Sequence, residues 1–265
     1  MEITGINDKK RIHEFLLKDP YLHLYELGNL QDRLFERTSW YAAVENGEIS
    51  ALSMLYPSKE NNVFFLIENK NTAAAAALAA SIAKNLPKKL YCHVCAAAAN
   101  ALAKEYEATK PVEYIKMRIT GDILLKTAEK YLDFTYRINR NDFETVREFL
   151  LSINPSAFFN RAMLETGKYF CIRKNNELAA MAGVHFFSGE YGSAAIGNVA
   201  VAEKHRGRGM AKSVTASLCL DLWQEAKYIG LNVRADNYAA IKAYTDIGFM
   251  EHSRHVEIRA VRKAV

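Results

Sequence analysis

The sequence predicts an α/β protein of the α+β kind, built from two related domains, residues 1–130 and 131–265. Three observations predict it. A helix-forming segment is repeated: Asn7-Asp8 leads to Glu14-Phe15-Leu16-Leu17 with Pro20 beyond, and Asn141-Asp142 leads to Glu148-Phe149-Leu150-Leu151 with Pro155 beyond, 134 residues later. Each copy is followed by two apolar runs around a polar turn, residues 41–52 and residues 170–181, at an offset of 129. Finally, a buried strand at Gly197–Ala202 runs through a glycine-bearing turn into an amphipathic helix. A shared order at a nearly constant offset is the signature of a duplicated unit.

The elements follow in order. Asn46-Gly47 and Asn175-Asn176 can adopt the left-handed conformation, so both apolar pairs read as hairpins. In the first half a strand is expected at Val63–Glu68, a helix at Thr72–Lys84, a strand at Leu90–Cys95 and an alanine-rich helix at about Ala97–Glu107. The alanines are strong helix formers and carry no chemistry. The domain boundary falls between Gly121 and Thr135. In the second half Met210, Val214, Leu218, Leu222 and Ala226 form one apolar helix face. A strand at Tyr228–Ala235, a helix from Tyr238 and a closing strand at Glu251–Val261 complete it. Asp236 or Asn237 can cap that last helix, and Gly248 can end it.

Composition narrows the class. Half of the 265 residues are apolar and a quarter are charged, which excludes a disordered chain, a collagen-like fibre and a disulfide scaffold. No apolar run reaches the ~18 residues of a membrane span, and the first ten residues have no apolar signal region. With four cysteines, the expectation is a soluble cytoplasmic protein without a membrane partner. The net charge of +5 lies wholly in residues 136–265, which hold 18 Lys and Arg against 13 Asp and Glu. That field suits an anionic ligand but lacks the clustered basic stripe of a nucleic-acid binder.

The turn Glu203-Lys204-His205-Arg206-Gly207-Arg208-Gly209 opens the helix at Met210. Helix N-termini present unpaired N–H groups and a positive dipole end, and glycine lets the backbone approach a phosphate. Arg206, Arg208 and Lys212 add positive charge. The spacing fits neither a P-loop nor the dinucleotide fingerprint. In the first half no glycine separates the strand at Val63–Glu68 from its helix, so that half has no comparable turn. Asn237 and Tyr244, seven residues apart, share a face of the last helix.

These residues resemble the GNAT superfamily of acetyl-CoA-dependent N-acetyltransferases. Its motif Gln/Arg-x-x-Gly-x-Gly/Ala is matched by Arg206, Gly209 and Ala211. Its following motif is matched by Asn237, Ala240, Tyr244, Gly248 and Phe249. Residues 196–249 carry the resemblance, and the first half resembles at most a degenerate copy. The resemblance implies a mixed, strongly twisted sheet flanked by helices, in two tandem GNAT-like domains of which only the second holds the cofactor motif. It implies two parallel strands that splay apart around acetyl-CoA, with CoA as product. The backbone of Val199, Ala200 and Val201 would pair with the pantetheine arm. The amides of Arg206, Gly207, Arg208, Gly209, Met210 and Ala211 would hold the pyrophosphate. Asn237 would lie near the cofactor, and the Tyr244 hydroxyl would protonate the departing thiolate. Acetyl transfer to an amine of a small-molecule or peptide acceptor, directly in a ternary complex and without a metal, is the expected reaction.

The general base is open. Some relatives carry a carboxylate on the central strand, where this sequence has Asn198. His185, Glu190, Glu203 and a water relay to Asn198 or a backbone carbonyl are the candidates. The spacing of Cys92 and Cys95 stands without a second ligand pair, and both read as structural. His13, Tyr21, His23 and Tyr25 read as ordinary packing. The alternative function is a non-catalytic acetyl-CoA or CoA binding module, against which Tyr244 argues. A homodimer is compatible with the sequence.

Overall fold

The computed structural model describes residues 1–58 and 62–264. Two compact units emerge. The first comprises residues 1–116 and 234–236 together with the chain from His252 onward; the second comprises residues 117–233 and 237–251. The units are thus cut differently from the expected 1–130 and 131–265. The reason is local: Val256–Val261 pairs antiparallel with Lys89–Val94, so the last strand completes the first unit's sheet.

The first unit begins with β1 (Glu2–Gly5), α1 (Lys9–Leu16), α2 (Leu24–Gly28) and α3 (Asp32–Phe35). There follow β2 (Ser39–Glu45), β3 (Glu48–Tyr56), β4 (Asn62–Leu66), α4 (Thr72–Ile82), β5 (Lys89–Val94), α5 (Ala96–Leu102) and β6 (Tyr106–Ala108). β7 (Val112–Ile119) leaves this unit after Lys116. The second unit continues with α6 (Gly121–Thr127), β8 (Tyr136–Arg137), α7 (Phe143–Ile153), α8 (Arg161–Glu165), β9 (Phe170–Lys174), β10 (Glu177–Ser188) and β11 (Ser193–Val201). It closes with α9 (Met210–Trp223), β12 (Tyr228–Arg234) and α10 (Tyr238–Ile247), after which β13 (Met250–Arg262) returns the chain to the first unit.

Each unit is a mixed sheet flanked by helices, and the order is shared. A helix precedes an antiparallel hairpin, a third antiparallel strand leads into a long helix, and a parallel strand follows with its own helix. In the first unit the strands run β1-β2-β3-β4-β5-β13-β7, and in the second β12-β11-β10-β9-β8. The matched hairpin turns share one geometry. Asn46 and Gly47 have φ of 51° and 83°, and Asn175 and Asn176 have φ of 52° and 64°. Two consecutive positive φ values make the tight turn whose twist matches the flanking strands.

The first unit's core lies where α4 and α5 cover Phe64, Leu66, Leu90, Cys92, Val94, Ile258 and Ala260. Small alanine side chains at Ala74, Ala75, Ala79, Ala98 and Ala101 bring both helices close to the sheet. Two differences from the sequence reading follow from packing. α5 ends at Leu102 rather than near Glu107, because Tyr106 is buried in β6 and pairs with Arg262. α9 ends at Trp223, so Ala226 is buried in the turn beyond it. All four cysteines are free and buried. No helix among the described residues is long and apolar enough to cross a membrane.

Candidate active site

The second unit's parallel strands are paired only at one end. β11 and β12 match from Ser193↔Tyr228 to Ile196↔Leu231, and there the ladder stops. β11 continues to Val201 and β12 to Arg234. Among the described residues, the β11 edge turned away from β10 has no strand partner at Gly197–Val201, including the predicted Val199, Ala200 and Val201. Such an edge can accept an extended ligand as an added strand.

Two β-bulges sit beside that opening. Between Met181↔Ala200 and Gly183↔Gly197 β11 holds one extra residue, and between Val184↔Ile196 and Phe186↔Ala195 β10 holds one. The extra residue of β10 is His185. On β11 the backbone turns left-handed at Asn198, with φ of 53°. Bulges re-aim side chains and free backbone groups next to sites. The His185 ring lies over Gly197, where a Cβ would come within 2.3 Å of its Nε2. Asn198 is held by its amide, which donates to the Phe158 carbonyl at 3.2 Å and the Tyr169 hydroxyl at 3.1 Å. Tyr169 in turn donates to the Val184 carbonyl at 2.7 Å. Its ring fills the space that a side chain at Gly183 would need. The Asn198 side chain thus fastens the bulge.

After β11 the chain makes one short helical turn at Glu203–His205 and reaches the glycines. Gly207 and Gly209 have φ of 75° and 78°, a region that side chains disfavour. Gly209 is the N-cap of the 14-residue α9, and no side chain caps that helix. Arg206 donates its amide to Glu203, and the next amide to find a carbonyl is Ser213, which donates to Gly209 at 3.1 Å. Among the described residues, the amides from Gly207 to Lys212 have no protein acceptor. Arg206 and Arg208 are exposed beside them. The donor set therefore fits a phosphate. Lys212 is committed elsewhere: it pairs with Asp246 at 3.2 Å and lies over the Tyr131 ring.

The matching turn of the first unit is filled by the protein itself. β4 and β5 pair along their whole length, from Asn62↔Leu90 to Leu66↔Val94, and so do not splay. The buried Glu68 carboxylate accepts the amides of Lys70 at 2.7 Å and Asn71 at 3.2 Å. Asn71 caps α4 by accepting from Ala74. No glycine lies in this turn, and the amides of Lys70, Asn71 and Ala74 are already taken up by side chains there.

Tyr244 is buried on α10 in edge contact with Phe249. Burial, with the thiol of Cys219 adding to it, holds its hydroxyl protonated well beyond the ordinary tyrosine range. Asn237 is exposed, and its side chain caps α10 by accepting from Ala240 at 3.2 Å. Glu190 lies in the turn joining β10 to β11, at the end away from the opening. At ~3.3 Å per residue, the five strand steps from Ser193 to Asn198 alone span roughly 16 Å. Glu203 is exposed at the start of the turn. Of the base candidates, only His185 and Asn198 stand at the bulges.

Sequence reasoning passed over a polar cluster in the first unit. Tyr91 and His93 on β5, Tyr114 and Lys116 on β7, and His255 and Glu257 on β13 are joined by a chain of contacts, and Tyr25 of α2 touches His93 and Lys116. Each strand contributes residues two apart, the spacing of one sheet face. That alternation was the available signal.

Residues 132–249 match the model of the acetyltransferase (GNAT) family. No curated protein matches the chain. A Drosophila protein of known structure is similar with a TM-score of 0.74 at 14% identity, over 98% of both chains. A tandem GNAT protein from the clavulanic acid biosynthesis pathway superposes with a TM-score of 0.59 at 13% identity over the whole of both chains. A GNAT-family acetyltransferase of Novosphingobium aromaticivorans reaches 0.55 at 17% identity, over 76% of this chain and 84% of that one.

Proposed function

We propose, from the match of residues 132–249 to the acetyltransferase (GNAT) family model, that the second unit transfers an acetyl group from acetyl-CoA to an amine of a small-molecule or peptide acceptor. The observation that carries this reading is the row of unspent amides from Gly207 to Lys212 at the mouth of two parting strands. Acetyl-CoA supplies the activated acyl group. The amides and the guanidinium groups of Arg206 and Arg208 hold its pyrophosphate, and the open edge of Val199–Val201 aligns its arm. Backbone N–H groups freed at the Asn198 bulge polarise the acyl carbonyl.

The amine nitrogen bonds to the acyl carbon and the carbon–sulfur bond breaks. Tyr244 gives its proton to the departing sulfur; its hydroxyl carries a proton at neutral pH, and the burial that raises its pKa makes it a weaker acid than an exposed tyrosine. His185 accepts the proton lost by the amine, directly or through water. No covalent enzyme intermediate is needed. The first unit takes no part in holding the cofactor, since Glu68 satisfies its turn.

The test is thermal stability of the chain with acetyl-CoA, CoA and ATP, followed by thiol release with an amine panel. A rise in Tm with both CoA species but not ATP, and thiol release with at least one amine, is expected. Stabilisation without thiol release across the panel would favour the binding-module reading. No stabilisation at millimolar ligand would end both.

A further inference from the structure

We propose that His93, His255 and Glu257 of the first unit form a binding site for one divalent transition-metal ion, zinc by the chemistry of the donors. The site is independent of the acetyl-transfer reading.

The backbone sets it up. His93 on β5 is the direct cross-strand partner of Glu257 on β13, and His255 lies two residues away on the same face. The alternate residues of both strands, Leu90, Cys92, Val94, Ile258 and Ala260, go to the apolar core. The three polar side chains thus converge on the opposite face by the two-residue period of a strand.

Their atoms stand as ligands of one ion would. Nδ1 of His93 lies 3.0 Å from Oε1 of Glu257, and Nε2 of His255 lies 3.4 Å from the same oxygen. One ligand atom from each residue lies within 4.8 Å of the others. Neighbouring ligands on a tetrahedral ion with ~2.1 Å bonds are themselves ~3.4 Å apart.

The ring nitrogens point at the Glu257 carboxylate without forming aligned hydrogen bonds to it. The His255 side chain is 0% exposed, yet neither of its ring nitrogens makes a well-aimed hydrogen bond among the described residues, and nor does Nδ1 of His93. Buried polar atoms are seldom left so. An ion at the convergence point would satisfy Nδ1 of His93 and Nε2 of His255 together.

The surroundings divide the carboxylate's two oxygens. Tyr91 donates to Oε2 of Glu257, leaving Oε1 to face the imidazoles. An outer group that fixes a ligand in this way is usual at metal sites. Phe65 stacks on His93 at 4.7 Å between ring centres, and Tyr114 lies beside His255 at 5.7 Å. Two buried carboxylates, Glu26 and Glu257, act on the buried Lys116, so the pocket can take a cation. Three protein ligands leave a fourth position on a tetrahedral ion for water or a small ligand.

The experiment uses the full chain without an affinity tag, stripped with a chelator and titrated with Co²⁺ and then Zn²⁺. One Co²⁺ per chain is expected, with the visible bands of a tetrahedral ion, displaced by Zn²⁺. His255→Gln and Glu257→Gln should weaken binding roughly a hundredfold or more, and Tyr91→Phe, which keeps every ligand, roughly tenfold. Cys92→Ser with Cys95→Ser should leave it unchanged. No Co²⁺ bands at millimolar metal would overturn the proposal. So would binding that survives His255→Gln or vanishes with the cysteines. Near-ultraviolet circular dichroism of the variants separates loss of a ligand from loss of fold, and Tyr91→Phe decides if a ligand variant unfolds.

Discussion

Gly197 lies beneath the ring of His185, and a Cβ at that position would sit 2.3 Å from the imidazole's Nε2 and Cδ2. The glycine is therefore a matter of room, since its backbone is not left-handed. If His185 is the base, His185→Gln should lower kcat/KM about 100-fold and remove its fall toward acid pH. Gly197→Ala should push the ring aside and lower the rate while leaving the affinity for CoA intact. A pH–rate profile unchanged in His185→Gln removes this role.

Arg206→Ala with Arg208→Ala should weaken CoA about 10- to 100-fold, since charge-assisted contacts to phosphate are lost. Calorimetry at two salt concentrations checks it. The variant should also be less salt-sensitive, because two of the screened interactions are gone.

Tyr244→Phe should reduce kcat by about 100-fold or more, the size of a lost general acid, with little change in KM for acetyl-CoA. Steady-state thiol release measures both. An acyl donor with a better thiol leaving group should recover part of the rate.

Glu68→Ala should destabilise the first unit by about 1–3 kcal/mol, because two amides lose a buried acceptor. Urea unfolding reads this. The shift in Tm that CoA gives the protein should stay the same.

Stability should fall as pH rises above about 9. Burial raises the thiols of Cys92, to about 12, and Cys219 above their ordinary 9.0. It also raises the phenols of Tyr25, Tyr169 and Tyr244 above their ordinary 10.0. Between the ordinary and the raised values the unfolded chain has released protons that the folded chain keeps. Stability present below pH 9 is then lost at up to about 1.4 kcal/mol per pH unit for each group. Melting curves from pH 8 to 11 should show it, with a shallower alkaline arm in Cys219→Ala.

Much of the second unit was legible because its signals are local. The Asn175-Asn176 turn, the Gly207 and Gly209 pair and the Asn237 cap each act within a few residues, and the structure shows the backbone those residues demand. The duplication was legible for the same reason. What the sequence hid was pairing between distant segments. The match of Val256 with Val94 moves the last strand into the first unit and brings His255 and Glu257 to His93 across more than 160 residues. The bulge at His185 was hidden too, since it exists only as a register difference between two strands. The helix written through Tyr106 failed because a buried tyrosine under Arg262 outweighs the alanine run before it.

That returning strand has a consequence for how the protein is made. The first unit's β5 stays an open edge until residues 256–261 have been synthesised, after every residue of the second unit. On the ribosome the part begun first is therefore finished last. Its half-built sheet, with unpaired backbone groups along Lys89–Val94, is the stretch of the nascent chain most exposed to wrong partners.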